Sequence, residues 1–369
     1  MNIVILNWRD IKHSWAGGGE ICIFEQASRW VKMGHKVTVF CGEDLYKKLP
    51  SFEEIDGIKI FRKGGRFSVY FWTIWRYLFA SQEKFDVVID VENGIPFFTP
   101  IFCTVPIVCY VHHVHDKQFF YELPRFLAII GYIVEHFIFP VIYRNTPIIA
   151  VSKTTQKELI NIGFNEKNIK IVYNGINKDI SVKTSIKKFS NPTILYLGRI
   201  KKYKRVDLLV NIFPKIVEKV PRVRLIIAGW GTEGLHVTDL VMKGQLRKKI
   251  TIYGPVNDAE KKLLLAKSWV FVNPSIGEGW SIAVIEANLY GTPAVSFDVS
   301  GLAESIKHGE TGLLAKDEDD FINKICEALK DHNLREKLSK NAARWSNNFS
   351  WDRSARESLQ ILEILRRNN

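Results

Sequence analysis

Cysteine is scarce in this 369-residue chain: the five, Cys22, Cys41, Cys103, Cys109 and Cys326, are odd in number, scattered and mostly embedded in apolar runs. That excludes a disulfide scaffold and suits buried thiols in a reducing compartment. Low complexity and repeats of fixed period are absent, which excludes fibrous and solenoid architectures. Acidic residues are in the minority, 39 against 52 lysines and arginines, for a formal net charge of +13. Such a balance fits nucleic acid, an anionic membrane surface or phosphorylated substrates. The aromatic signatures of RNA-binding modules are missing, which argues against nucleic acid. Through Ile176 there are 20 basic and 17 acidic residues, and beyond it 32 and 22, so most of the excess is C-terminal.

Long uninterrupted hydrophobic runs are also lacking. The most apolar stretch, Phe126 to Tyr143, is broken by Glu135, His136 and Pro140. A spanning helix needs about 20 apolar residues, so a buried or membrane-surface helix is expected rather than a transmembrane one. The opening MNIVILNWRD has no basic leader and reaches an acid by Asp10. It reads as a first strand, not an export signal, and points to a cytoplasmic protein.

What is present is the composition of a soluble globular protein, 46% apolar and 25% charged, at a length that suits two domains with a cleft between them. Short β-rich runs alternate with helical patterns: NIVILNW, a helix from about Glu20 to Met33, HKVTVF, FDVVIDV, PIVCYVH and PIIAVS. Alternation of this kind predicts parallel sheets built from crossover units. The pattern pauses at YNGIN, with a polar segment up to Asn191 and Pro192. A second series follows: TILYLGR, a helix from about Val206 to Val220, RLIIAGWG, KITIYG, WVFVNPS and TPAVSFD. The expected fold is α/β, two Rossmann-like domains, residues 1–176 and 177–350. A terminal helix from Trp351, with Ala355, Leu359, Ile361, Leu362 and Leu365 on a partial apolar face, needs a surface to cover.

The strongest constellation is NPSIGEGWSIAVIEANLYGTPAV. A loop is expected over Asn273 to Gly277 and a helix from near Ser281 to before Gly291. Ser281 is the candidate N-cap, and the amides of Gly279, Trp280, Ser281 and Ile282 then lie at a helix N-terminus, an anion site sized for two phosphates. Glu278 precedes that helix, where it can accept from sugar hydroxyls; Glu286 lies inside it, where it can accept from ribose hydroxyls. The plain alternative is an exposed loop acid and a solvated helix acid. Glu286, however, stands between Ile285 and Ala287 on a helix apolar nearly all round, where an acid needs a partner.

In LGRIKKYKRVD, Arg199 follows a strand and Lys204 precedes a helix, an arrangement that neutralises a diphosphate from one side. Lys201 and Lys202 read as a solvated basic loop. SWAGGGE places Gly17, Gly18 and Gly19 in the first strand-to-helix connection, where the backbone can approach a ligand or the facing domain. Gly229, Gly231 and Gly234 match a dinucleotide fingerprint, but the next strand ends at Tyr253, Gly254 and Pro255 without the ribose acid, so tight packing suffices. In YVHHVHD, neither Cys nor a further His group completes a zinc set for His112, His113, His115 and Asp116. His112, first beyond the strand, is a candidate for sugar or acceptor contact, with a structural role as the alternative.

Together these residues resemble glycosyltransferase family 4, retaining enzymes of GT-B architecture, over nearly the whole chain: GGGE, the strand-end histidines, VSKTTQKEL from Val151, YNGIN, LGRIKKYKR, the turn at Gly229, and the Glu278 to Glu286 unit followed by GTPAV. The resemblance implies that Arg199 and Lys204 hold the donor diphosphate, Glu278 the sugar and Glu286 the ribose. It also implies that His112 meets the reacting face of the sugar, that the amides near Gly18 close over the phosphates, and that residues 351–369 return to the N-terminal domain. Trp280 and Ser281 depart from the Phe-Gly common in relatives. The implied activity is transfer of a UDP- or GDP-linked sugar to an acceptor hydroxyl in glycolipid, lipid-linked oligosaccharide or cell-surface polysaccharide synthesis. No metal or other cofactor is expected.

The acceptor is expected mainly in the N-terminal domain. Phe67, Tyr70, Phe71, Trp72, Trp75, Tyr77, Phe119 and Phe120, near Arg62, Lys63 and Arg66, form either a surface for a lipid-linked acceptor at the cytoplasmic membrane face or simple core. The rival functions are a nucleotide-sugar epimerase or phosphorylase, and a non-catalytic nucleotide-sugar sensor. An oxidoreductase is disfavoured by the missing ribose acid.

Overall fold

The computed structural model describes residues 1–80, 84–178, 186–245 and 247–367. Part of the polar segment expected between the domains, residues 179–185, lies outside them. The chain divides into two compact units, Met1–Gly175 with Trp351–Asn369, and Ile176–Ser350.

The first unit carries eight strands: β1 (Asn2–Leu6), β2 (Lys36–Cys41), β3 (Phe52–Ile55), β4 (Ile58–Arg62), β5 (Val87–Glu92), β6 (Ile107–Val111), β7 (Ile148–Ala150) and β8 (Ile169–Ile171). Their order is β3-β4-β2-β1-β5-β6-β7-β8, parallel except for β3, which runs antiparallel to β4 at the edge. Ile3, Val4, Ile5 and Leu6 of β1 are fully buried, as a central parallel strand covered on both faces requires. The helix Trp351–Arg367 belongs to this unit and lies on the helix Gly18–Lys32. There the Trp30 indole N–H donates to the Ala355 carbonyl at 2.9 Å and Gln26 Nε2 to Ser354 Oγ at 2.9 Å.

The most apolar stretch differs from expectation. Glu135 and Pro140 do not break it: helix Arg125–Ile133 continues through a π turn, Val134–Ile138, into Phe139–Ile142, where Pro140 sits in a first turn that needs no N–H from it. By length and composition alone, Arg125–Ile142 could cross a membrane, and only 22% of it is buried. Glu135 turns inward and is fully buried, while Phe126, Ile129, Ile133, Phe137 and Val141 face outward.

The second unit is a six-stranded parallel sheet of β9 (Thr193–Leu197), β10 (Arg224–Ala228), β11 (Ile250–Gly254), β12 (Val270–Asn273), β13 (Ala294–Phe297) and β14 (Gly312–Ala315). The order is β11-β10-β9-β12-β13-β14. It therefore reverses between β9 and β12. Open α/β sheets take ligands beyond the carboxyl ends of strands at such a switch point.

Candidate active site

Arg199 lies two residues past β9, and Lys204 ends a short 3-10 turn, Lys202–Lys204, before the helix Val206–Lys219. Glycines press the neighbouring loops together here. A Cβ at Gly229 would lie 1.9 Å from the Gly198 carbonyl oxygen, and one at Gly231 2.1 Å from that of Ile200. Gly198 and Ile200 in turn donate their N–H groups to Ala228 at 3.0 Å and Trp230 at 2.9 Å. Gly229 and Gly231 of AGWGTEG thus serve loop packing, whereas a Cβ at Gly234 would meet nothing within 4 Å, and Tyr196 Oη fixes the next peptide by donating to the Arg199 carbonyl at 2.7 Å.

The partner loop follows β12. Asn273 Nδ2 donates to Glu278 Oε1 at 3.2 Å, Ser275 Oγ donates to the same oxygen at 3.0 Å, and the Lys204 ammonium forms an ion pair with it. Glu278 is mostly buried, at 13% side-chain exposure, so it is not an exposed loop acid. Burial raises its carboxyl, but the Lys204 charge and the hydrogen bonds outweigh burial and hold it below the usual carboxylate range. For Lys204, burial disfavours the ammonium, Glu278 overrides that, and Arg199 is near enough to push back; the net shift is upward. Behind this loop, Gly301, at φ +71°, admits the Glu278 carbonyl where a Cβ would lie 1.8 Å from it.

Ser281 occupies the N-cap of the helix Ile282–Leu289, but its hydroxyl does not cap. This corrects the expected role: Asn273 Nδ2 reaches that hydroxyl at 3.4 Å instead. The Ser281 side chain makes no capping hydrogen bond there, and a helix amino end is suited to an anion. The Trp280 ring packs 5.0 Å from Phe349 in the interior. Glu286 is not a solvated helix acid, since Lys261 of the helix Asp258–Lys267 pairs with it at 2.7 Å.

In the first unit, Gly17 caps the helix Gly18–Lys32, and its N–H donates to Glu20 Oε2 at 2.7 Å. Glu20 is held by Arg9 at 2.8 Å. The Gly17 amide is thereby engaged, unlike the expectation for that loop; Gly18 and Gly19 stand in the first turn, where no intrahelical carbonyl reaches their N–H groups. A Cβ at Gly19 would lie 2.9 Å from His112 Cδ2, so glycine lets the helix sit on the imidazole.

The histidine cluster sorts itself by partner. His113 Nε2 meets Gln118 Oε1 at 2.9 Å, and His115 Nδ1 meets Glu135 Oε1 at 3.1 Å. His112 Nε2 is buried and has no hydrogen-bond partner among the described residues. Burial lowers His112 to about 4, so the ring is neutral at pH 7. Two acids to which the sequence reading gave no role in a site converge here: Glu92, His115 and Glu135 offer ligand atoms within 4.8 Å of one another. The available signal was Glu135, a lone acid in an apolar helix. Its carboxylate accepts the N–H groups of His115 at 2.7 Å and Asp116 at 2.8 Å and so anchors the histidine loop.

The aromatic surface divides. Phe67, Phe71, Trp75 and Phe120 are exposed, whereas Phe119 is buried and Tyr70 donates to the Ile95 carbonyl at 3.2 Å. Arg62 is no surface cation: Asp10 at 2.7 Å and Glu53 at 3.0 Å hold it in the interior.

Two family models match the chain, Glycosyltransferase Family 4 over residues 16–180 and Glycosyl transferases group 1 over residues 177–345. An uncharacterized glycosyltransferase of Methanocaldococcus jannaschii is 28% identical over 99% of this chain and 98% of its own length. Among solved structures, sucrose-phosphate synthase from Thermosynechococcus elongatus superposes with a TM-score of 0.79 at 17% identity, covering 100% of both chains. HepE of Anabaena, solved with UDP and glucose, gives 0.75 at 16% identity over 98% of this chain and 99% of its own. At these identities the structural likenesses bear on the fold.

Proposed function

Because the chain belongs to the family 4 glycosyltransferases and has the GT-B fold, we propose that it transfers a sugar from a UDP- or GDP-linked donor to an acceptor hydroxyl with retention at the anomeric carbon. The observation that carries this is the meeting of Arg199, Lys204, Glu278 and the uncapped amino end of helix Ile282–Leu289 at the switch point of the second sheet.

In the reaction the bond from the anomeric carbon to the diphosphate oxygen breaks, and a bond to the acceptor oxygen forms on the same face. The acceptor proton passes to the departing phosphate. Negative charge grows on the diphosphate, and Arg199, Lys204 and the helix amides are preorganised for it, the kind of term that often dominates enzymatic rate enhancement. On this account no metal is needed. Glu278, fixed by Asn273 and Ser275, accepts from sugar hydroxyls; Glu286 accepts from the ribose; neutral His112 offers its open Nε2 to the sugar.

The acceptor is a saccharide or lipid-linked saccharide bound by the first unit, in glycolipid or surface polysaccharide synthesis. The outward apolar face of Arg125–Ile142, with Arg125 and Arg144 at its ends, supports contact with the cytoplasmic face of a membrane. Flotation with anionic and neutral liposomes tests that contact, and no binding to either removes it. For the reaction itself, a melting-temperature screen across UDP- and GDP-sugars identifies the donor, and NMR of the product with EDTA present reads the anomer. An inverted product, or turnover abolished by EDTA, contradicts the proposal.

A further inference from the structure

The helix Ser68–Trp75 of the first unit runs on into a π turn, Arg76–Ala80. Its inward side carries Thr73 and Val69, the latter in the core with Val4, Leu6 and Phe40. Its outward side is aromatic. Phe67, Phe71 and Trp75 recur every four residues and so share one face, with Leu78 and Phe79 following. These five side chains are between 42% and 75% exposed, whereas a soluble surface rarely gathers so much apolar area without a use for it. Phe71 and Trp75 both meet Trp72 edge to face, at 5.4 and 5.8 Å, which joins the rings into one surface.

The charge around this surface is of one sign in sequence. From Gly57 to Ala80 the chain holds Lys59, Arg62, Lys63, Arg66 and Arg76 and no acid. Arg62 is committed to Asp10 and Glu53 in the interior, but Lys63 and Arg66 are exposed at the amino end of the aromatic stripe. Both lie over rings, Lys63 Nζ 3.8 Å from the centre of Trp72 and the Arg66 guanidinium 5.7 Å from that of Phe67. Against these two cations stands Glu43, whose N–H donates to the Gly64 carbonyl at 2.7 Å, so the local balance stays positive. An exposed aromatic face edged by cations is what a helix lying in the headgroup layer of a bilayer requires. A second copy of the chain does not fit, because a two-fold contact would set Lys63 and Arg66 against their own counterparts.

We propose that this face docks on an anionic lipid bilayer, with Phe67, Phe71 and Trp75 at the acyl boundary and Lys63 and Arg66 at the lipid phosphates. It is a surface separate from Arg125–Ile142 and stands whether or not that helix binds.

The test is vesicle flotation together with quenching of tryptophan fluorescence by phosphatidylcholine brominated on its acyl chains, which reports only indoles in the bilayer. Arg125–Ile142 contains no tryptophan, so the quenching reads this face and not that helix. Vesicles with equal phosphatidylglycerol and phosphatidylcholine should bind the full chain about tenfold or more tightly than phosphatidylcholine alone, and should quench it. Trp75→Phe keeps the apolar face, so binding should hold while quenching falls by about half or more. Phe71→Glu, at an exposed position that leaves the fold intact, should weaken binding by about tenfold or more. Quenching unchanged in Trp75→Phe would place another indole, such as the exposed Trp230 of the second unit, in the lipid and overturn the proposal. Binding without quenching, or binding unchanged in Phe71→Glu, overturns it while leaving Arg125–Ile142 as the contact; failure to float on either vesicle overturns both.

Discussion

Lys204 and Glu278, 74 residues apart in sequence, form an ion pair in which each side chain is more than four-fifths buried. Removing one partner strands a buried charge, commonly at a cost of about 3–5 kcal/mol, whereas removing both is milder. Lys204→Met should therefore lower stability to denaturant by about 3 kcal/mol, and Lys204→Met with Glu278→Gln should recover most of it. Additive losses would show that the pair is not coupled. Since the folded Glu278 carboxyl lies below its ordinary value, its contribution is present at neutral pH. That contribution is lost as pH falls below about 4.

Gly19→Ala should separate stability from activity. In a helical first turn alanine is favoured over glycine by roughly 0.5–1 kcal/mol, yet its Cβ would lie 2.9 Å from His112 Cδ2 and move the ring. Turnover should fall by about tenfold or more, as small displacements near chemistry do, while the melting temperature holds. Unchanged turnover would mean that the His112 position does not matter.

His112 should stay neutral throughout the working range. Its folded value of about 4 lies below the ordinary 6.5, so the unfolded chain binds the extra proton between the two. Stability then falls as pH drops from about 6.5 to about 4. His112→Gln should remove that part of the slope, and the ring's NMR signal should not titrate above about pH 5. A midpoint near 6.5 would place the ring in water.

Glu286→Gln should weaken donor binding by about tenfold or more, the range for losing a hydrogen bond to a charged group. With a 2′,3′-dideoxyribose donor the difference should vanish. A persisting difference would mean that Glu286 serves its pair with Lys261 and not a ribose.

Much of this was legible in residue order. β9, β12 and the helix after Ser281 follow from apolar runs and turn residues, and Arg199, Lys204 and Glu278 declare themselves by standing just beyond strands. Long-range pairings were not legible. Nothing local shows that Lys261 meets Glu286, that Asn273 takes the Ser281 hydroxyl, or that Arg62 is buried by Asp10. Pro140 and Glu135 misled because a proline in a first turn and an acid turned inward look, in sequence, like interruptions of an apolar helix. The role of Gly19 also depends on a histidine 93 positions away.

The most direct measurement is calorimetric titration of UDP against UMP, or GDP against GMP, into the wild-type chain and Arg199→Ala. A diphosphate grip predicts that the wild type prefers the diphosphate by about tenfold to a hundredfold and that Arg199→Ala loses most of that preference. Equal affinity for monophosphate and diphosphate in the wild type would contradict it.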